Sequence, residues 1–270
     1  MSFSISGKTA IVTGAANGVG LAIARHFVNR KANVMFADMD EAKLIKEIGD
    51  EVEKEDATVR YFAGDLREKL TLANLLSATI DAFDKVDILV NASRQMMLSD
   101  PLNPDDDAVE LLLDQNLMTG LRLTQLVARR MIKQAADDGR DEGTVGSIIN
   151  ISSIAASRAH ADLLAYSVSS AAIDQLTRSM AVALAPHRIR VNAVAFGSVM
   201  SSSLKESLKD NDTCRDDIIA HTPLARIASP GELGEAAQFL ASEGSGFMTG
   251  QILTVDGGRS LLDTVSTPLH

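Results

Sequence analysis

Thr13-Gly14-Ala15-Ala16-Asn17-Gly18-Val19-Gly20 follows the apolar run Thr9-Ala10-Ile11-Val12 and opens a helical pattern over 19–30. Glycine at this spacing permits a tight turn, lets backbone N–H groups approach an anion, and aims the positive end of a helix at it. A strand before and a helix after turn a weak glycine pattern into a specific one. It reads as a turn for the pyrophosphate of a dinucleotide, with Gly14, Asn17, Gly18, Val19 and Gly20 as its contact residues. The second apolar run, Val34-Met35-Phe36-Ala37, ends on Asp38. That carboxylate is placed to accept hydrogen bonds from ribose hydroxyls and to repel an extra phosphate, so NAD(H) is expected over NADP(H). Asp40 is also available to cap the next helix.

Outward from this turn the alternation continues. Val59-Arg60-Tyr61-Phe62 precedes a helix over 67–83, and Val86-Asp87-Ile88-Leu89-Val90 precedes a long helix around 105–136. Ser147-Ile148-Ile149-Asn150-Ile151 precedes a helix over 164–185 stopped by Pro186, and Ile189 to Val194 forms the sixth run. Strand and helix in turn imply an α/β chain with a mainly parallel, doubly wound sheet and helices on both faces. Residues 1–270 show no linker-like shift in composition and read as a single domain, while the polar, serine-rich stretch 198–222 is placed to act as a lid.

Composition narrows the functional classes. A chain of 270 residues with 46% hydrophobic and 23% charged residues can bury a large core. Its formal charge of −10 disfavours nucleic acid and anionic membrane as partners. No window approaches the ~20 apolar residues that span a bilayer, and Met1 to Lys8 lacks a basic start followed by an apolar core, so a cytoplasmic location is expected. Cys214 is the one cysteine and makes no disulfide within the chain. The five histidines (26, 160, 187, 221, 270) lack metal-ligand spacing, so no metal is expected. Gly7-Lys8-Thr9 imitates the end of a P-loop, but Ser2 stands where that loop needs glycine, and a strand follows where it needs a helix.

A second constellation carries the chemistry: Ile151-Ser152-Ser153, then Tyr166-Ser167-Val168-Ser169-Ser170 on the next helix. Together with the TGxxxGxG turn, it resembles the short-chain dehydrogenase/reductase family, whose catalytic helix carries Tyr-x-x-x-Lys. The likeness runs from about 7 to 258 and includes Asp114-Gln115-Asn116-Leu117 and Val255-Asp256-Gly257-Gly258. It implies a Rossmann-type domain with a seven-stranded sheet, and an NAD(H)-dependent oxidoreductase acting on a small-molecule alcohol or ketone. By the resemblance Ser153 orients the substrate oxygen, Tyr166 transfers the proton and Asn116 supports a water relay. Asp65 and Leu66 would flank the adenine, Asn91, Ala92 and Ser93 would line the cofactor, and Gly197 and Val199 would lie in the nicotinamide-contacting stretch. A homotetramer or homodimer through the long helix and the Tyr166 helix is implied as well.

The chain departs from the family at three places. The lysine position is Ser170, the usual Asn-Ala-Gly reads Asn91-Ala92-Ser93, and the usual Pro-Gly after the sixth strand reads Phe196-Gly197. An unassisted phenol, with a pKa of about 10, is only about 0.1% ionised at pH 7. Losing a cation that lowers it by two to three units would withdraw roughly 3–4 kcal/mol, on the order of 10²–10³ in alcohol oxidation. Weakened or atypical catalysis is therefore expected, the alternative being a catalytically inactive NAD-binding module. Arg94 and Arg158 are the replacement cations within reach in sequence, and both are expected to be solvated. Ser170→Lys is expected to raise alcohol oxidation and lower its pH optimum.

Overall fold

The computed structural model describes residues 2–52, 57–209 and 212–263. Seven strands form one sheet: β1 (Thr9–Thr13), β2 (Asn33–Asp38), β3 (Val59–Ala63), β4 (Ile88–Asn91), β5 (Gly146–Ser153), β6 (Ile189–Phe196) and β7 (Ile252–Val255). Their order is 3-2-1-4-5-6-7 and every neighbouring pair is parallel, so the sheet is wholly parallel where the sequence implied mainly so. The order reverses between β1 and β4, which opens a crevice at their carboxyl ends.

Why the strands read as unbroken apolar runs is clear from the packing. Successive side chains leave opposite faces of a strand, and here both faces are covered. Ala10, Val12, Val34 and Phe36 enter one core layer, beneath α1 (Gly18–Asn29), α2 (Glu41–Val52) and α9 (Pro230–Ala241). Ile11, Met35 and Leu89 enter the other, beneath α3 (Lys69–Phe83), α5 (Thr119–Asp137) and α6 (Leu164–Leu184). Arg190 of β6 is the buried cation of this frame, donating to the carbonyls of Leu240 and Ser242 at the end of α9.

Two stretches depart from the sequence reading. The long helix around 105–136 begins as α4 (Ala108–Leu112), widens into a π turn over Leu113–Met118 and only then continues as α5. The stretch 198–222 holds two short helices, α7 (Ser202–Leu208) and α8 (Asp212–Ala220), which a weakly periodic polar sequence did not announce.

The first turn separates two glycine requirements. A Cβ on Gly20 would lie 2.1 Å from the Gly14 carbonyl oxygen, a contact with backbone that cannot yield, whereas one on Gly18 would meet nothing within 4 Å. Gly20→Ala is expected to lower folding stability by about 3 kcal/mol in urea unfolding. Gly18 adopts a φ of +57° over open space, so Gly18→Ala is expected to cost about 1–2 kcal/mol and to weaken dinucleotide binding in calorimetry.

Candidate active site

Thr13 ties the two sides of the crevice together. Its Oγ1 accepts the N–H groups of Ala92 and Ser93, each at 3.0 Å, and donates to the Val90 carbonyl at 3.4 Å. Gly14, at φ +65°, sits so close to β4 that a Cβ there would lie 2.7 Å from the Ala92 carbonyl oxygen. The open cradle over Gly18, at the N-terminus of α1, is the space a phosphate would take, and Asn17 precedes it as N-cap with no side-chain hydrogen bond of its own. Val19 follows, half-buried, inside α1.

Asp38 closes β2 against this turn. Its Oδ2 accepts the Ala16 N–H at 3.0 Å and its Oδ1 the Asp40 N–H at 3.1 Å, while Asp40 caps α2 by accepting the Lys43 N–H. A carboxylate offers about four acceptor sites, so two remain for hydroxyls. Asp65 is clamped by Arg67, whose guanidinium holds the carboxyl below its usual range, and Leu66 is buried beside it. Asn91 donates to Thr124 Oγ1 and Asn150 Oδ1, with its own Oδ1 buried and unpartnered. The crevice thus presents a phosphate cradle, an acidic hydroxyl acceptor and an orphaned buried carbonyl, a set that suits a nicotinamide dinucleotide.

At the carboxyl end of β5, Ser153 is 7% exposed and its Oγ accepts the Ala155 N–H at 3.2 Å. Tyr166, in the first turn of α6 and also 7% exposed, packs in one apolar cluster with Ala155, Ala108 and Leu112. Phe196 is in register with Ser153 across β5 and β6, followed by Gly197, packed on Asp256, and the buried Val199. The π turn has a use here, as π insertions often do at functional sites. It turns both Gln115 and Asn116 toward the loop after β4. Gln115 donates to Ser93 Oγ at 3.2 Å. Asn116 accepts the Gln95 N–H at 2.8 Å and donates to the Gln95 carbonyl at 2.9 Å and to Ser169 Oγ at 3.3 Å.

Between these elements lies the largest departure from the sequence reading. Arg94 is drawn inward and partly buried: its guanidinium carbon is 4.7 Å from the Tyr166 ring centroid and 5.0 Å from that of Phe196. Its Nη1 donates to the Ser152 carbonyl at 2.6 Å, and its Nη2 is buried without a hydrogen-bond partner. Burial pushes its pKa down to about 10, opposed by the nearby charge of Asp174, so the group stays cationic at neutral pH. Asp174 is two turns beyond Tyr166 on α6, and burial raises its pKa. Ser170, between them, is 1% exposed, and its carbonyl accepts from Ser152 Oγ. Arg158, the other candidate, instead donates to the Ser260 carbonyl. Sequence reasoning named Arg94 but misjudged its environment, and it passed over Asp174, for which the i, i+8 spacing from Tyr166 was the available signal.

A parallel sheet with a glycine turn at its switch point, a serine ending β5 and a tyrosine at the start of α6 is an arrangement suited to a dinucleotide-dependent oxidoreductase. A family model described as "Enoyl-(Acyl carrier protein) reductase" matches residues 14–260. The oxidoreductase UcpA of Escherichia coli is 33% identical over 268 residues, covering 97% of this chain and 98% of that one. Among solved structures, a 7 alpha-hydroxysteroid dehydrogenase complexed with NADH and 7-oxo glycochenodeoxycholic acid superposes with a TM-score of 0.85 at 31% identity, covering 95% of this chain and 96% of that one. A gluconate 5-dehydrogenase from Burkholderia cenocepacia, in complex with NADP and tartrate, superposes at 0.83 with 29% identity, covering 97% of this chain and 98% of that one. The chain belongs to the short-chain dehydrogenase/reductase family. It is an oxidoreductase of that type, and enzymes of the family use nicotinamide cofactors.

Proposed function

We propose that the protein is an NAD(H)-dependent dehydrogenase interconverting a secondary alcohol and a ketone. The observation that carries this reading is the placement of Ser153 at the carboxyl end of β5 and of Tyr166 at the start of α6, on a sheet whose acidic residue, Asp38, faces the glycine turn. Asp38 supports NAD(H), since a carboxylate there accepts ribose hydroxyls and repels a 2′-phosphate. When bound, the nicotinamide ring supplies hydride acceptance or donation. Ser153 holds the substrate oxygen in place. Tyr166 takes the hydroxyl proton as its carbon gives up hydride, and returns that proton in the reverse direction. Asn116 fixes the loop over the site through Gln95 and the Tyr166 helix through Ser169. Without a lysine at 170, catalysis is atypical in how the phenol is charged.

The same reading takes a small-molecule alcohol or ketone as partner and a cytoplasmic setting. Among the described residues no helix is long and apolar enough to cross a membrane. Self-association as a homotetramer or homodimer through α5 and α6 is supported by Val182, 77% exposed on α6 beside a shallow apolar groove along Ala181, Ala185 and Gly250.

The testing experiment assays a panel of secondary alcohols and ketones with NAD(H) and NADP(H), alongside calorimetry of each dinucleotide. Turnover with preference for NAD(H) is expected. Binding of neither dinucleotide by folded protein overturns the reading.

A further inference from the structure

We infer that Arg94 is the positioning cation of the Tyr166 phenol, supplying from the loop after β4 the positive charge that position 170 of α6 does not carry. This rests on the reading of Tyr166 as the proton-transfer group. A phenolate buried as deeply as Tyr166 is disfavoured by desolvation unless an opposite charge lies within a few ångströms. Of the cations among the described residues, Arg94 is the one stacked on that ring.

Three features make this a built arrangement and not a stray side chain. The guanidinium is held between two aromatic faces, Tyr166 and Phe196, which attract a cation and match its planar shape. Its loop is locked, because Asn116 takes both backbone groups of the adjacent Gln95 and reaches Ser169 on the Tyr166 helix. Its hydrogen bonds are incomplete. Nη1 is satisfied by the Ser152 carbonyl, but Nη2 is buried and unpartnered, a cost that proteins rarely retain unless a ligand or a charge partner answers it. Arg94 thereby forms one set with the departures at 170 and 196. Ser170 carries no long side chain into the neighbourhood of Ser152, and Phe196 provides the second face.

Asp174, on α6 itself, faces Arg94 and is balanced in part by Arg178. From α4, the loop after β4 and the turn after β5, the groups packed on Tyr166 include Ala108, Leu112, Met97 and Ala155, all apolar. Arg94 is the charge stacked on the ring itself.

The test reads the phenol directly. The chain has two tyrosines and no tryptophan, so tyrosinate absorbance of the native chain minus that of Tyr166→Phe isolates the Tyr166 transition. In the native chain its midpoint is expected below the free-phenol value of about 10, and in Arg94→Met and Arg94→Gln it is expected about one pH unit or more higher. Arg94→Lys is expected to recover part of the difference, and circular dichroism along each titration restricts the comparison to folded protein. A native midpoint above about 10 overturns the inference even if both neutral variants fail to fold. So does an unchanged midpoint in a folded neutral variant. Neither dinucleotide nor substrate enters the measurement. A chain that shows the shift but turns over nothing would sink the proposed reaction alone; a chain that turns over with no shift would sink only the role of Arg94.

Discussion

Tyr166→Phe is expected to lower kcat/KM for alcohol oxidation by about 10³, roughly 4 kcal/mol of transition-state stabilisation, with NAD(H) affinity changed by less than about twofold. The substitution removes one hydroxyl and leaves the ring in its cluster with Ala108, Leu112 and Ala155, so folding should be unaffected. Ser153 does not take over, because its Oγ is engaged as acceptor to the Ala155 N–H and an aliphatic hydroxyl is a poor proton acceptor. Steady-state kinetics should show the loss in kcat more than in KM, the mark of an interaction made in the transition state. Retention of more than about a tenth of native kcat/KM would assign the proton transfer elsewhere.

The second large effect concerns Ser170, and here the structure reverses the expectation drawn from sequence. By itself, the absence of lysine suggested that Ser170→Lys would raise oxidation. The Ser170 side chain lies almost wholly buried, and Ser152 joins it to Arg94: the Ser152 carbonyl accepts from Arg94 and the Ser152 hydroxyl donates to the Ser170 carbonyl. A lysine at 170 would bring a second buried cation and three further methylenes into filled space. Ser170→Lys is therefore expected to lose about 3 kcal/mol of folding stability and to gain no oxidation rate. Combining it with Arg94→Ala removes the competing charge and its volume. The double variant is expected to recover at least about half of the lost stability, a coupling that a double-mutant cycle measures. It should also oxidise alcohol faster, and with a lower pH optimum, than Arg94→Ala alone. A stable Ser170→Lys single variant with raised oxidation would show that the two cations do not share one site.

How much was legible in advance differs between scaffold and site. The strand runs could be read because burial on both faces leaves no polar alternation to confuse them, and the glycine turn because Gly20 answers a steric demand within a few residues of itself, whereas the demand on Gly14 comes from Ala92 and Ser93 across the crevice. The π turn at Leu113–Met118 could not. A single widened turn leaves the apolar periodicity on either side almost intact, and its cause, the need to bring Gln115 and Asn116 onto the loop at 93–95, lies about twenty residues away. Asp38 was identified as the acidic end of β2, while its grip on the Ala16 N–H appears only when β1 and β2 are side by side.

From the amino-acid order alone came the doubly wound parallel sheet, the dinucleotide turn, the Ser153 and Tyr166 pair and the vacancy at the lysine position. The sheet and the turn follow from short-range spacing, the pair and the serine at the lysine position from the resemblance to the family. The fate of Arg94 was settled only by assembly. A long cationic side chain beside a turn goes to solvent by default, since leaving water costs it dearly. What brings it inward is the joint presence of the Ser152 carbonyl, the Tyr166 and Phe196 faces and the charge of Asp174, drawn from β5, α6 and β6 and separated from it by tens of residues in the chain.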